Sequence, residues 1–330
     1  MKRNLIALTA GLFILSLTGC SLTLLRKTTP VPTFVSQPSP TALVAIAATA
    51  IPTPAATLTP PIIAPLPAAG FAPTATVGGI VPGSPSGPYG VIQVAAGTAL
   101  NIRSAPGASS TAVGSFAATA NNVMRTGPSA SVAGALWVEV QNPNGGNGWV
   151  NAAYLTEYIP PASFCADSRV STLVANFGNA FKSSNGGTLA SLVSPAHGWT
   201  VRLWHNGNAI VFDRQHAQWV FISTYKHDWG AAPGSGQDTV GAIHVVVLPK
   251  LLDVFNAPAP GYTLSCNTVQ TGGASYDTSW PAQYTNLNFY SVYKPGPAGN
   301  ELSWRTLLIG VEYVQNQPYI FSTTQLDWEP

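Results

Sequence analysis

The stretch Leu100-Asn101-Ile102-Arg103-Ser104-Ala105-Pro106-Gly107 decides the fold of the region around it. Leu100 and Ile102 alternate with Asn101 and Arg103, the period of two that turns one face of a strand inward, and Pro106-Gly107 ends the run. Upstream, Val91, Ile92 and Val94 start another strand. Downstream, Val113 to Phe116, Asn122 to Arg125, Leu136 to Val140 and Gly148-Trp149-Val150 carry the same signal. Asn142-Pro143-Asn144-Gly145-Gly146 turns the chain between the last two. So many short strands within residues 89–158 specify a small all-β barrel. Leu100, Ile102, Val138, Val150 and Leu155 are its expected interior.

Taken in order, Leu100 to Gly107, Leu136 to Val140, and Gly148-Trp149-Val150 with Tyr154-Leu155 resemble a bacterial SH3-like (SH3b) domain. Ala117 to Arg125 is poorer in apolar residues than such domains are, and Thr126 to Gly134 makes a longer loop beside the usual ligand groove. The resemblance implies a module that holds peptidoglycan stem peptides or other wall polymers. Trp137 and Trp149 are the aromatic candidates for that contact, and Arg103 is the candidate partner for a carboxylate. Each also has a plainer role: Trp buries large area in small domains, and the family uses this Arg mostly to pair structurally.

The chain has 330 residues, of which 46% are hydrophobic and only 8% charged, against roughly 25% charged in ordinary soluble domains. Two of the 14 basic residues, Lys2 and Arg3, stand at the N-terminus, and the remaining 12 balance 12 acidic ones. A neutral chain disfavours electrostatic binding to nucleic acid. Lys2 and Arg3 precede the uncharged, mainly apolar run Leu5 to Leu17, which is short for a membrane span and suits a secretory leader over 1–19. Leu17-Thr18-Gly19-Cys20 resembles the lipobox of bacterial lipoproteins. That resemblance implies lipidation of Cys20 with diacylglycerol and further acyl chains such as palmitate, and extracytoplasmic anchoring to the bacterial cell membrane. Ser21 is not the retention-type Asp, so the outer-membrane leaflet stays open. Residues 28–102 hold no charged side chain, and 14 of the 61 residues in 28–88 are Pro. Residues 20–88 therefore read as a disordered Pro/Ala/Thr-rich linker.

Residues 160–330 differ in kind. Val170, Leu173, Val174, Phe177 and Phe181 make the stripe of an amphipathic helix, capped by Asp167 or Ser168 and stopped by Asn185-Gly186-Gly187. Thr188 to Ser194 reads as a second short helix. Strands are expected at Thr200 to Trp204, Ala209 to Phe212 and Trp219 to Ser223. His244 to Phe255 passes from strand to helix or is one apolar helix broken at Pro249. Asn288 to Tyr293, Ser303 to Val314 and Tyr319 to Ser322 read as long antiparallel strands, with Asn316-Gln317 turning the last pair. The whole is thus multidomain: the small barrel, then an α+β domain with N-terminal helices and a curved antiparallel sheet. The second layout resembles uncharacterised C-terminal domains of bacterial lipoproteins and, at the level of architecture, the nuclear transport factor 2-like superfamily.

With Cys20 lipidated, Cys165 and Cys266 remain, and an even pair in an exported chain reads as a disulfide. The competing chemistry is a Cys–His peptidoglycan endopeptidase: Cys165 precedes a helix and His244 lies on a later strand-like segment. The Asp-Cys-Ser-Gly run of such enzymes is absent. His197, His205, His216, His227 and His244 show no zinc-motif spacing. Asp213, Asp228, Asp238 and Asp253 are too scattered for spacing to pair them as glycosidase carboxylates. The Gly-rich turns lack a phosphate-loop Lys, so neither metal nor cofactor is expected. Trp199, Trp204, Trp219, Trp229, Trp280, Trp304 and Trp328, all beyond residue 158, read mostly as core, with sugar-binding platforms as the alternative. The expectation is a lipid-anchored, non-catalytic envelope protein that contacts the wall through residues 89–158. The endopeptidase, or an accessory protein binding a small ligand through residues 160–330, are the alternatives.

Overall fold

The computed structural model describes residues 87–233, 235–258 and 261–328. The leader over 1–19, Cys20 and the linker up to residue 86 lie outside them. Among the described residues, no helix is long and apolar enough to cross a membrane.

The N-terminal module starts with β1 (Tyr89–Val91) and β2 (Ala99–Arg103), then β3 (Ala112–Ala117), β4 (Arg125–Val132), β5 (Ala135–Gln141) and β6 (Asn147–Asn151). A 3-10 turn at Ala152–Tyr154 leads into β7 (Leu155–Glu157). The sheet order is β3-β2-β6-β5-β4, while β7 returns to pair with β1. All five expected interior residues are buried, together with Tyr89, Val91, Phe116 and Val140. The stretch expected to be a loop, Thr126 to Gly134, is instead most of β4 and its turn. Ser129 faces Val138 and Ala130 faces Trp137, while a register shift between Arg125 and Ser129 absorbs Gly127-Pro128. Pairing with β5 overrides weak strand propensity there. Ala133 and Gly134 both take positive φ, which suits the tight reversal into β5.

The C-terminal part opens with three helices, α1 (Pro161–Ala166), α2 (Ser168–Lys182) and α3 (Gly186–Leu192), followed by β8 (Trp199–Arg202) and β9 (Ala209–Phe212). Asp167 caps α2 by accepting from the Arg169 amide, and Asn185 caps α3 through Thr188. A short helix α4 (Arg214–Ala217) follows, then a hairpin of β10 (Lys226–Ala231) and β11 (Asp238–Ala242). Trp219 to Ser223, expected as a strand, is a series of turns. Ala217 and Val220 are buried while Trp219 and Ile222 are exposed, a spacing of three rather than two. His244 to Phe255 resolves into α5 (Ile243–Val246) and α6 (Leu248–Phe255). Pro249 sits in the first turn of α6, where its missing N–H costs nothing.

The last strands are β12 (Thr263–Cys266), β13 (Asn288–Lys294), β14 (Arg305–Val314) and β15 (Gln317–Asp327). They join β8 and β9 in the order β12-β13-β14-β15-β8-β9. The sheet is mixed rather than antiparallel, because β8 arrives from the helices and runs parallel to β15. The final hairpin turns on Gln315 and Asn316, both at positive φ, one residue earlier than expected. Helices α2 and α6 cover one face of this sheet, and the space is filled by Phe177, Phe181, Trp199, Phe255 and their neighbours.

The other face receives the N-terminal module. A bulge between Gly310 and Val311 leaves Phe321 without a partner across the ladder. Phe321 packs instead with Tyr284, Leu287 and Ile92 of the module. Asn286, itself buried, donates to the carbonyls of Val91 and Ala120, at 2.8 and 2.9 Å. Gly90 is required at this contact, since a Cβ there would stand 2.7 Å from that of Asn286. Glu157 accepts from the amides of Gln315 and Asn316 at 2.7 and 2.9 Å. The two parts are thereby docked through buried apolar and polar contacts.

Cys165, near the end of α1, is bonded to Cys266 at the end of the edge strand β12, with the Cα atoms 5.7 Å apart. The bond closes a sequence separation of 101 residues, a loop for which the chain-entropy model gives about 4–5 kcal/mol. Replacing both cysteines by Ser is expected to lower Tm clearly and urea-derived stability by several kcal/mol. An unchanged melting curve under strong reductant would contradict that stabilising role.

Candidate functional site

The outward face of the module's sheet carries Asn101 and Arg103 from β2, Trp137 from β5 and Asn151 from β6. These alternate with the interior residues Leu100, Ile102, Val138 and Val150. With Tyr154 and the Gln93–Ala95 segment they line a groove of about 400 Å³. Trp137 stands directly opposite Asn151 in the ladder and is only 6% exposed, so it forms a wall of the groove rather than a projecting ring. Tyr154 is exposed at the rim. The Arg103 guanidinium donates to the Ser110 carbonyl at 2.6 Å, which fixes its stem along the groove and leaves further N–H donors on the fork. Of the three residues expected to contact a ligand, Arg103 and Trp137 line this groove. Trp149 is outside its lining, half-buried between Arg103 and Glu139.

The groove's far wall is held from beneath by the C-terminal part. His197 Nδ1 lies 2.6 Å from Glu312 Oε2, with both side chains nearly fully buried. The ring also hydrogen-bonds the backbone of Ala152 and Ala153, next to Tyr154. Thr156 of β7 donates to the same carboxylate oxygen at 3.4 Å. Burial opposes a charge on the ring, but the Glu312 carboxylate and the two backbone acceptors outweigh it and raise the His197 pKa. Nothing in residue spacing announces this pair, although one acid inside the apolar run Leu307 to Val314 marks a buried charge.

The remaining candidates fall apart in space. The Cys165 sulfur is bonded to Cys266, and His244 Nδ1 is 2.9 Å from the Ser223 carbonyl, so no thiolate–imidazole pair forms. His216 pairs with Asp213 at an exposed turn, and His227 is packed among Phe212, Tyr225 and Trp229. Among the described residues, no group of three potential metal ligands comes together.

Comparison with known proteins agrees with the groove's setting. Residues 98–156 match the family model of the bacterial SH3 domain. No curated protein and no solved structure matches the chain.

The His197 contribution to docking has a definite pH sign. Its folded pKa lies above the ordinary 6.5, so the stabilisation is fully present below that pH and is lost as pH rises through the raised value. Glu312→Ala leaves the buried ring without its counter-charge and is expected to cost about 3–5 kcal/mol and to flatten that alkaline decline. Urea denaturation of both proteins between pH 6 and 9 measures it; parallel pH profiles would contradict the assignment.

Proposed function

We propose that this protein is a lipid-anchored, non-catalytic component of the bacterial cell envelope whose SH3-like module binds peptidoglycan or another wall polymer. The observation that carries the reading is the match of residues 98–156 to the bacterial SH3 domain, a family often involved in cell-wall binding, together with the groove lined by Arg103 and Trp137. An aromatic wall desolvates well against a sugar or peptide face, and the guanidinium fork suits a stem-peptide carboxylate. The non-catalytic part of the reading rests on Cys165, whose sulfur is committed to a disulfide and is no nucleophile in that state. The lipid anchor rests on Leu17-Thr18-Gly19-Cys20 behind a charged and apolar leader.

Two experiments test this reading. The full chain should sediment with purified peptidoglycan at both 0.1 and 1 M salt, since a contact made by a neutral chain persists when the Debye length falls from about 10 to about 3 Å. Trp137→Ala should weaken that binding by about tenfold with an unchanged circular dichroism spectrum. Equal sedimentation of variant and parent would remove the groove from the reading. Separately, Cys20→Ala should release the chain from the membrane fraction or block its processing, and undiminished retention would count against the anchor.

A further inference from the structure

A second cleft, of about 380 Å³, opens on the C-terminal sheet face opposite its helices. Its walls are aromatic and immobilised. Tyr276 stacks on His205 with ring centroids 3.9 Å apart and donates its hydroxyl to the Asp327 carbonyl at 2.7 Å. Trp280 stacks on Phe289 at 4.4 Å and donates its indole N–H to the Tyr284 carbonyl at 2.8 Å. Gly310 makes room for Trp280, because a Cβ there would stand 2.8 Å from the indole ring. The floor is Leu308 and Leu326 with Thr324 between them on the same face. Asp277 lies at the rim, exposed.

The floor also carries a polar group. Thr324 is 5% exposed and lines the cleft, so its hydroxyl stands within the reach of an occupant. Two rigid aromatic walls, an apolar floor, a threonine hydroxyl and a rim carboxylate match one kind of molecule. A sugar ring has an apolar C–H face and a polar edge, and needs no counter-charge.

We propose that this cleft binds an uncharged saccharide ring, stacked against Trp280 and Tyr276, with its hydroxyls reaching Thr324 and Asp277. The site is separate from the groove at Trp137 and belongs to the other half of the chain. Pre-formed walls reduce the ordering that binding requires, and the volume falls within the range of small-ligand sites.

The test titrates the full chain with tetra-N-acetylchitotetraose and, in parallel, cellotetraose, by calorimetry and by the indole N–H resonances. Saturable binding of either sugar is expected. Thr324→Val, which keeps the side chain's shape, should weaken it about fivefold. Trp280→Leu should weaken it about tenfold. Trp219→Ala, at an exposed residue outside both the cleft and the groove, should leave it unchanged. Melting curves verify that each variant is folded, and Thr324→Val serves if Trp280→Leu is not. Binding of neither sugar, or binding indifferent to Thr324→Val, would each overturn the proposal; the second outcome would place the sugar outside this cleft.

Discussion

A carboxylate buried in the middle of an apolar strand is the constraint on which this molecule turns. Glu312 is 1% exposed on β14, a position that is tolerable only if a cationic or strongly donating partner comes to it. His197 supplies one from the turn before β8, and Thr156 a second donor from the N-terminal module. The pair therefore organises three pieces of chain distant in sequence: the central sheet, the turn after α3, and the strand that closes the module. Apolar contact through Ile92 and Phe321 supplies area, but area alone does not select one docking geometry. A buried carboxylate oxygen held by His197 and Thr156 does, because sliding the interface would strip it of those partners.

One irregularity in the strand ladder serves both sites. The bulge at Gly310 and Val311 turns Phe321 toward the module while Ile320, next to it, stays in the helix-facing core. Beyond the bulge the alternation resumes, and Ser322, Thr324 and Leu326 share the face that Trp280 and Tyr276 cover. A strand without that extra residue could not place Phe321 and Ser322 on the same side. The missing side chain at Gly310 completes the arrangement, since a Cβ there would press on both the Ser322 hydroxyl and the Trp280 indole.

What could be read from sequence follows the reach of the interactions. The α2 stripe, its Asp167 cap, the five interior residues of the module and the final hairpin are set by neighbours a few positions away, and period and capping chemistry expose them. The disulfide follows from the two cysteines that remain once Cys20 is set aside as the lipidation candidate. Residues 126–132 escaped because β5 imposes the extended form on a segment with weak propensity of its own. The parallel pairing of β8 with β15 escaped because it joins residues more than a hundred positions apart. At the groove, Arg103 and Trp137 were legible as strand residues facing outward, yet the same signal also marked Trp149, which lies outside the lining although it stands opposite Arg103 in the ladder. Asn286, His197 and Glu312 had only the signature of polar residues in apolar surroundings, which names no partner.

The pairing of β1 with β7 has a mechanical consequence. β7 is also bonded to the C-terminal part, where Thr156 donates to Glu312 and Glu157 accepts from the amides of Gln315 and Asn316. A pull applied at β1 would therefore load β14 and the final hairpin together with the module's own sheet. The two parts would share the force, and neither would open alone.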